Sequence, residues 1–452
     1  LVAGGHRQRF GLDYDETFAP VCGFRTLRAF LAVCAHEDLE MRQFDIKTAF
    51  LNGELDEEVY MRTPPGMPGL GPGLVLRLRR ALYGLKQAGR AWSKTLEGSL
   101  RARGFTQSDS DPALWILRGP DGALLALFYV DDGLVAARTA AEADALVAMM
   151  GEMYQIRVIG EPSDFLGIRV TRDRAAYTIK IDQEDKARAL AAEAGVTGAK
   201  RVLPMRPEVF KELRQAVPGE PMADAERYSS TIGSLLHLAQ CTRPDIALAV
   251  NALSSYVQEP SVVHWEAALD VVRYVGHTAH LGITYGRTAA PLEMYCDANY
   301  ASCLDTRRSI TGYLVVMYGG AIAWGSKKQA TTAASTMEAE YQGCGMAARE
   351  ALAVRKLEAV LALLSSDFPI VGPLTIFCDN QAALGLLKDR KEGQRVKHID
   401  VIHHFARDRV ASGELQFVYC RSVDNISDCL TKALPRPALA VCMVGMGMLS
   451  IA

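Results

Sequence analysis

Two apolar runs, residues 124–130 and 134–137, are separated only by Asp131, Asp132 and Gly133. Asp-Gly between such runs predicts a β-hairpin that turns at Asp132-Gly133. Upstream, the flanks of Asp45 alternate apolar and polar side chains, so the acid closes a short predicted strand. Residues 64–73 form a Pro/Gly-rich loop, and further breaks fall near 217–221 and 288–291. Between the last two breaks Trp265, Leu269, Val272 and Val275 recur at helical spacing. From Glu293 the pattern predicts strands at 293–297, 312–317 and 321–324, then a helix at 335–363. A strand at 374–378, helices at 380–389 and 398–412, a strand at 414–420 and a short helix at 425–433 follow.

Adjacent carboxylates at a hairpin tip repel each other and resist desolvation. A cation beside Asp131 and Asp132 resolves both problems; a plain acidic surface turn is the alternative. Oxygen donors with open positions suit Mg²⁺. Two such ions, ~3.5–4 Å apart, clamp the attacking and leaving oxygens of a phosphoryl displacement. Asp45 is the candidate third acid. Four more acids fall where they could meet: Asp297 after one strand, Glu338 early in the long helix, Asp379 after another strand, and Asp428 in the last helix. Ligands of α/β sheets gather at the carboxyl ends of strands. Glu340 competes with Glu338, and two residues apart on a helix they cannot share a face. The expectation is Glu338.

Asp13-Tyr14-Asp15-Glu16-Thr17-Phe18-Ala19-Pro20-Val21 and Phe44-Asp45-Ile46-Lys47-Thr48-Ala49-Phe50-Leu51-Asn52-Gly53 resemble copia-type retrotransposon reverse transcriptases. So, in order, do Ala81-Leu82-Tyr83-Gly84-Leu85-Lys86-Gln87-Ala88, Tyr129-Val130-Asp131-Asp132, Phe165-Leu166-Gly167-Ile168 and Cys241-Thr242-Arg243-Pro244-Asp245-Ile246. Trp324-Gly325-Ser326-Lys327-Lys328-Gln329, Glu338-Ala339-Glu340-Tyr341, Cys378-Asp379-Asn380-Gln381, Lys397-His398-Ile399-Asp400 and Thr431-Lys432-Ala433-Leu434-Pro435 continue the series.

The resemblance implies a mixed α+β and α/β chain. A right-hand polymerase would occupy 1–208 (truncated fingers and palm) and 209–288 (helical thumb or connection). A ribonuclease H-like domain at 289–436 and a tail at 437–452 would complete it. It implies an RNA-directed DNA polymerase with ribonuclease H activity, using Mg²⁺ (or Mn²⁺), two ions per site. Asp45, Asp131 and Asp132 would be the polymerase ligands; Asp297, Glu338, Asp379 and Asp428 those of the nuclease. Phe50, Gln87 and Tyr129 would contact the incoming nucleotide. Partners would be an RNA template, a DNA primer, the RNA–DNA hybrid and dNTPs, with dimerisation or other Pol products as further associations. The location implied is a cytoplasmic virus-like particle, with nuclear entry. A defective remnant that only binds nucleic acid is the competing reading. Many ribonucleases H carry a histidine before the last acid; residues 420–424 have none, and His398, His403 and His404 precede it as surface or packing residues.

Net charge is −2, which is less basic than usual for a polynucleotide-binding enzyme. Between Arg77 and Arg103, however, eight Lys or Arg residues face Glu97 alone. Arg79, Arg80, Lys86 and Arg90 are the candidates there for tracking a phosphate backbone. A solvated helix face is the alternative. Ten cysteines lack any Cys-x-x-Cys pair, which argues against structural zinc and a disulfide framework. From the sequence, no membrane span and no leader are expected. It has neither a protease Asp-Thr-Gly nor an integrase zinc cluster, so the last part of a polyprotein is expected. By the resemblance, Gly4 and Gly23 stand where the family often has cations, and the chain would start inside the fingers. A weak triphosphate grip, with hybrid cleavage the sturdier activity, is the expectation. Gly133, Asn299 and Cys303 are further departures.

Overall fold

The computed structural model describes residues 1–64, 74–119, 122–196, 198, 200–388 and 405–449. The 65–73 part of the predicted loop, residue 389 of one predicted helix, and the 398–404 part of another with its three histidines lie outside them. The chain divides into two units: Leu1–Leu27 with Leu39–Pro162, and Arg28–Asp38 with Ser163–Ala452.

The first unit is built on a six-stranded antiparallel sheet. Its order is Thr106–Gln107, Leu114–Gly119, Gly122–Tyr129, Asp132–Ala137, Glu40–Ile46, Ile156–Gly160. The central strands are buried runs rather than alternating ones, because both faces are covered. Helices Ala88–Ala102 and Ala140–Met153 supply Trp92, Leu96, Leu100, Leu146 and Met150 to the core. A capping box starts the second helix: Thr139 Oγ1 accepts from the Glu142 N–H, and Glu142 accepts from the Thr139 N–H. A separate ribbon pairs Glu54–Arg62 with Val75–Arg80.

The hairpin does not turn at Asp132-Gly133. Tyr129 pairs with Asp132, so Val130 and Asp131 are the two turn residues and Gly133 lies within the strand. Val130 takes φ +58°, a left-handed conformation that is strained for a β-branched side chain. Gly133 is there for space. It pairs with Phe44, and a Cβ on it would stand 2.3 Å from the Phe44 Cζ. Phe44 is fully buried and meets Phe128 edge-on at 6.1 Å. Gly133→Val should therefore cost ~1–3 kcal/mol or more through overpacking. The check is the melting temperature; the double variant with Phe44→Ala should recover part of the loss.

In the second unit, Asp164–Phe165, Ile168–Asp173, Thr178–Asp182 and Gly282–Tyr285 form an antiparallel sheet. Leu166 and Gly167, both with positive φ, make its tight turn. Pairing of Thr178–Asp182 with Gly282–Tyr285 ties these strands to the later chain, so the division falls at Pro162, ahead of 208. Helices Ala225–Cys241, Ala247–Ser254 and Val262–His277 bury Tyr228, Leu235, Val250, Val271 and Val275 together. Beneath them Arg243 and Asp245 form a buried bidentate pair at 2.8–2.9 Å. Tyr274 Oη donates to the same carboxylate at 2.7 Å.

A second, five-stranded sheet has the order Gly320–Lys328, Ile310–Met317, Leu292–Asn299, Leu374–Cys378, Leu415–Tyr419. Its first three strands are antiparallel; the last two run parallel to Leu292–Asn299. Helix Thr336–Leu361 packs on it, capped by Ser335. The short helix expected at 425–433 is instead two single 3₁₀ turns, Ser422–Asp424 and Asp428–Leu430. The expected tail holds a helix, Arg436–Gly445. The residues after it dock: Met446 and Gly447 carbonyls accept from the Ala321 and Thr284 N–H groups.

Candidate active sites

In the first unit, antiparallel register sets Asp45 directly opposite Asp132, next to the turn that carries Asp131. The Ile46 N–H donates to the Asp131 carbonyl at 2.8 Å. All three acids are half-buried. Burial, and after it the Asp45 charge, push the Asp131 carboxyl above its usual range. Trp92 is buried, and its Nε1 donates to the Val130 carbonyl at 2.6 Å. The indole thus clamps the strained turn. Tyr83 lies near the acids: after burial, Asp131 and Asp45 raise its hydroxyl pKa. Its ring meets Phe50 at 4.8 Å. An aromatic in a loop carries no chemical signal of its own in the sequence, so only the fold brings Tyr83 into the site.

Gln87 is buried. Its amide donates to the Asp13 carbonyl at 2.8 Å and accepts from Gln8 at 2.9 Å. Tyr129 is half-buried in the strand that leads into the turn. The basic strip is less free than its sequence suggests. Arg90 pairs with Glu16, Lys94 with Asp56, Arg77 with Glu58 at 2.7 Å and Arg103 with Glu152 at 2.9 Å. Lys86 donates to the Tyr14 hydroxyl at 3.2 Å. Arg79 and Arg80 are exposed.

In the second unit, Tyr295 pairs with Phe377 on parallel strands, which brings Asp297 level with Asp379 two residues on. Carboxylate oxygens of Asp297, Asp379 and Asp428 lie within 4.8 Å of one another. Asp297 is fully buried; the Thr431 hydroxyl donates to its Oδ2 and the Lys432 ammonium to its Oδ1 at 3.2 Å. Lys432 also bonds Asp428 at 3.0 Å, four residues back. Ser422 donates to Asp379. Asn425 fastens the turn, donating to the Cys296 carbonyl at 2.9 Å. Asn299 donates to the Thr431 carbonyl at 2.9 Å. Cys303 is buried.

The expected choice of Glu338 over Glu340 is corrected. Glu338 closes the helix start: its Oε2 accepts from the Ala334 N–H at 2.9 Å, and its N–H bonds the Ser335 hydroxyl. The free N–H groups of a first turn attract such a carboxylate. Glu340 faces the acids instead. Burial first, then Asp297, Cys378 and Asp379, push it up to about 10. Burial and Asp297 likewise raise Asp379, and they push Asp428 up to about 7. Against the cost of burial, Asp297 and Asp428 raise the Lys432 ammonium.

Residues 1–207 match the reverse transcriptase (RNA-dependent DNA polymerase) family. Over 457 residues the chain is 33% identical to the retrovirus-related Pol polyprotein from transposon TNT 1-94 of Nicotiana tabacum, covering 99% of this chain and 34% of that protein. The corresponding polyprotein from transposon RE2 of Arabidopsis thaliana is 36% identical over 442 residues, 97% of this chain and 30% of its own length. A transposon Ty5-1 protein of Saccharomyces cerevisiae is 30% identical over 300 residues, 66% of this chain and 96% of its own. The chain belongs to the Pol polyprotein family of copia-type retrotransposons, with a reverse transcriptase domain in its first half. It spans about a third of the length of the first two relatives. No helix among the described residues is long and apolar enough to cross a membrane.

Proposed function

We propose that this chain is an RNA-directed DNA polymerase joined to a ribonuclease H. The observation that carries the reading is the pair of separate carboxylate clusters, one in each unit. A palm with its catalytic hairpin is the natural reading of the first sheet. The order of three antiparallel strands followed by two parallel ones, with the long helix against the sheet, supports a ribonuclease H-like fold for the second.

Asp45, Asp131 and Asp132 in one cluster and Asp297, Asp379 and Asp428 in the other are carboxylates, oxygen donors that suit a hard cation such as Mg²⁺. Asp45, Asp131 and Asp132 would hold it in the first site, and Asp297, Glu340, Asp379 and Asp428 in the second. When bound, the ions supply Lewis-acid stabilisation of charge on the reacting phosphoryl oxygens. The chain's own groups do the rest. Trp92 and the Ile46 N–H hold the turn that presents Asp131. Tyr83 and Phe50 form an aromatic pair beside it, suited to packing under a nucleotide sugar. Thr431 and Lys432 fix the Asp297 oxygens. The substrates would be an RNA template with a DNA primer, dNTPs and the resulting hybrid.

Glu340→Gln should lower hybrid cleavage by ~10²-fold or more, the loss of several kcal/mol at 1.36 kcal/mol per factor of ten. Glu338→Gln should keep most of the activity and lose only ~1 kcal/mol of helix-end stability. A labelled hybrid assay beside thermal melting separates the two. The reverse ranking would overturn the placement of Glu340.

Titration gives another check. Asp428 is raised to about 7, so the native state prefers it protonated. That contribution to stability is present in acid and is lost as pH rises through about 7. Melting of the metal-free protein should therefore fall between about pH 4 and about pH 7 and level off above that. Mg²⁺ should restore the difference, and Asp428→Asn should flatten the profile. A parent profile with no such fall would contradict the reading.

A further inference from the structure

Cys296, Cys344 and Cys378 have no metal-binding spacing in the sequence, yet the fold packs them together. Cys296 precedes Asp297, Cys378 precedes Asp379, and Cys344 lies one helical turn after Glu340. None is more than 1% exposed. The Sγ atoms of Cys296 and Cys344 are 3.9 Å apart, and all three sulfurs lie within 4.8 Å of one another. Thiolates at ~2.3 Å from a shared ion stand ~4 Å apart, so small side-chain rotations complete the geometry. A fourth donor is at hand. An oxygen of Glu340 lies within 4.8 Å of both the Cys378 sulfur and an Asp379 oxygen. Glu340 is 5% exposed, and its Oε2 has no hydrogen-bond partner among the described residues.

We propose that Cys296, Cys344 and Cys378, with Glu340 as the oxygen donor, form a site for a thiophilic d¹⁰ divalent cation such as Zn²⁺ or Cd²⁺. Soft sulfur ligands select such ions over Mg²⁺, which keeps this site chemically apart from the acids above it. As the ion enters, each Sγ–H bond and the Glu340 carboxyl O–H bond break, and Sγ–metal and O–metal bonds form in their place. The protons leave to solvent and no oxidation state changes. Glu340 is within reach of both centres, so a cation held by the sulfurs withdraws it from the acids. The functional consequence rests on the nuclease reading of those acids: thiophilic ions inhibit hybrid cleavage even in excess Mg²⁺.

The test is a Cd²⁺ titration of the reduced full chain, followed through the sulfur-to-cadmium charge-transfer absorbance and the protons released. A saturable band at one equivalent is expected. It should be lost in Cys344→Ser and in Cys344→Ala, each checked for native circular dichroism, and kept in Asp379→Asn. Absence of a saturable band, or a band at full strength in both Cys344 variants, overturns the site. Loss of the band in Asp379→Asn overturns its separation from the acids. Hybrid cleavage is then measured with Cd²⁺ at saturation. Inhibition in the parent but not in Cys344→Ser supports the shared Glu340. A full band with undiminished cleavage overturns that sharing, while the band itself stands independently of the nuclease reading.

Discussion

Asp131→Asn is expected to lower RNA-templated primer extension by ~10³-fold or more and to leave hybrid cleavage unchanged. Asp131 sits on a two-residue turn opposite Asp45, and removing one charge there weakens the hold on a cation that the second centre does not share. A metal ion supplies several kcal/mol of transition-state stabilisation, and each 1.36 kcal/mol is tenfold in rate. Asp379→Asn should do the reverse, because Asp379 lies within 4.8 Å of Asp297 and Asp428. Both assays, run on each variant with matched circular dichroism, decide the matter. Hybrid cleavage at the parental rate in Asp379→Asn would refute the second centre. Loss of both activities in a folded Asp131→Asn would refute their independence.

The largest stability effect should come from Asp245→Ala. The Asp245 side chain is 0% exposed and the Arg243 side chain 2%, with two hydrogen bonds between them and a third from Tyr274. Truncating the carboxylate leaves a guanidinium buried without its counter-charge, at a cost of ~3–5 kcal/mol. For a unit of this size that is roughly 10 °C in melting temperature. Replacing both residues, as Arg243→Met with Asp245→Leu, should cost much less, since no buried charge is left alone. Equal losses in the single and double variants would show that the pair does more than balance charge. The family motif at 241–246 is thus a structural clamp in this chain, with no carboxylate left over for chemistry.

Which acids meet was legible because strand ends can be read from apolar runs, and Asp45, Asp297 and Asp379 all sit at such ends. What lay beyond the pattern had physical causes. Glu338 and Glu340 differ only in helix face, and the face depends on where Ser335 caps the helix. The hairpin turns two residues early, at Val130-Asp131, where the Trp92 hydrogen bond holds the Val130 carbonyl, whereas the Asp-Gly signal reflects local preference alone. Gly133 looked like a turn glycine and is a space for the Phe44 ring. The basic strip was counted along the chain, but its neutralising acids, Glu16, Asp56, Glu58 and Glu152, come from other segments. Three scattered cysteines carry no local signal at all; parallel strand register and one helix face bring them together.

Lys432 has a consequence for the order of assembly. Its ammonium already spans Asp297 and Asp428, so the second centre carries an internal cation from the moment the last turn docks. Like-charge repulsion among the acids is then relieved by the polypeptide itself. The nascent chain can complete this unit without drawing on the cell's supply of divalent ions, and loading becomes an exchange of one cation for another. A chelator should silence such a protein without unfolding it.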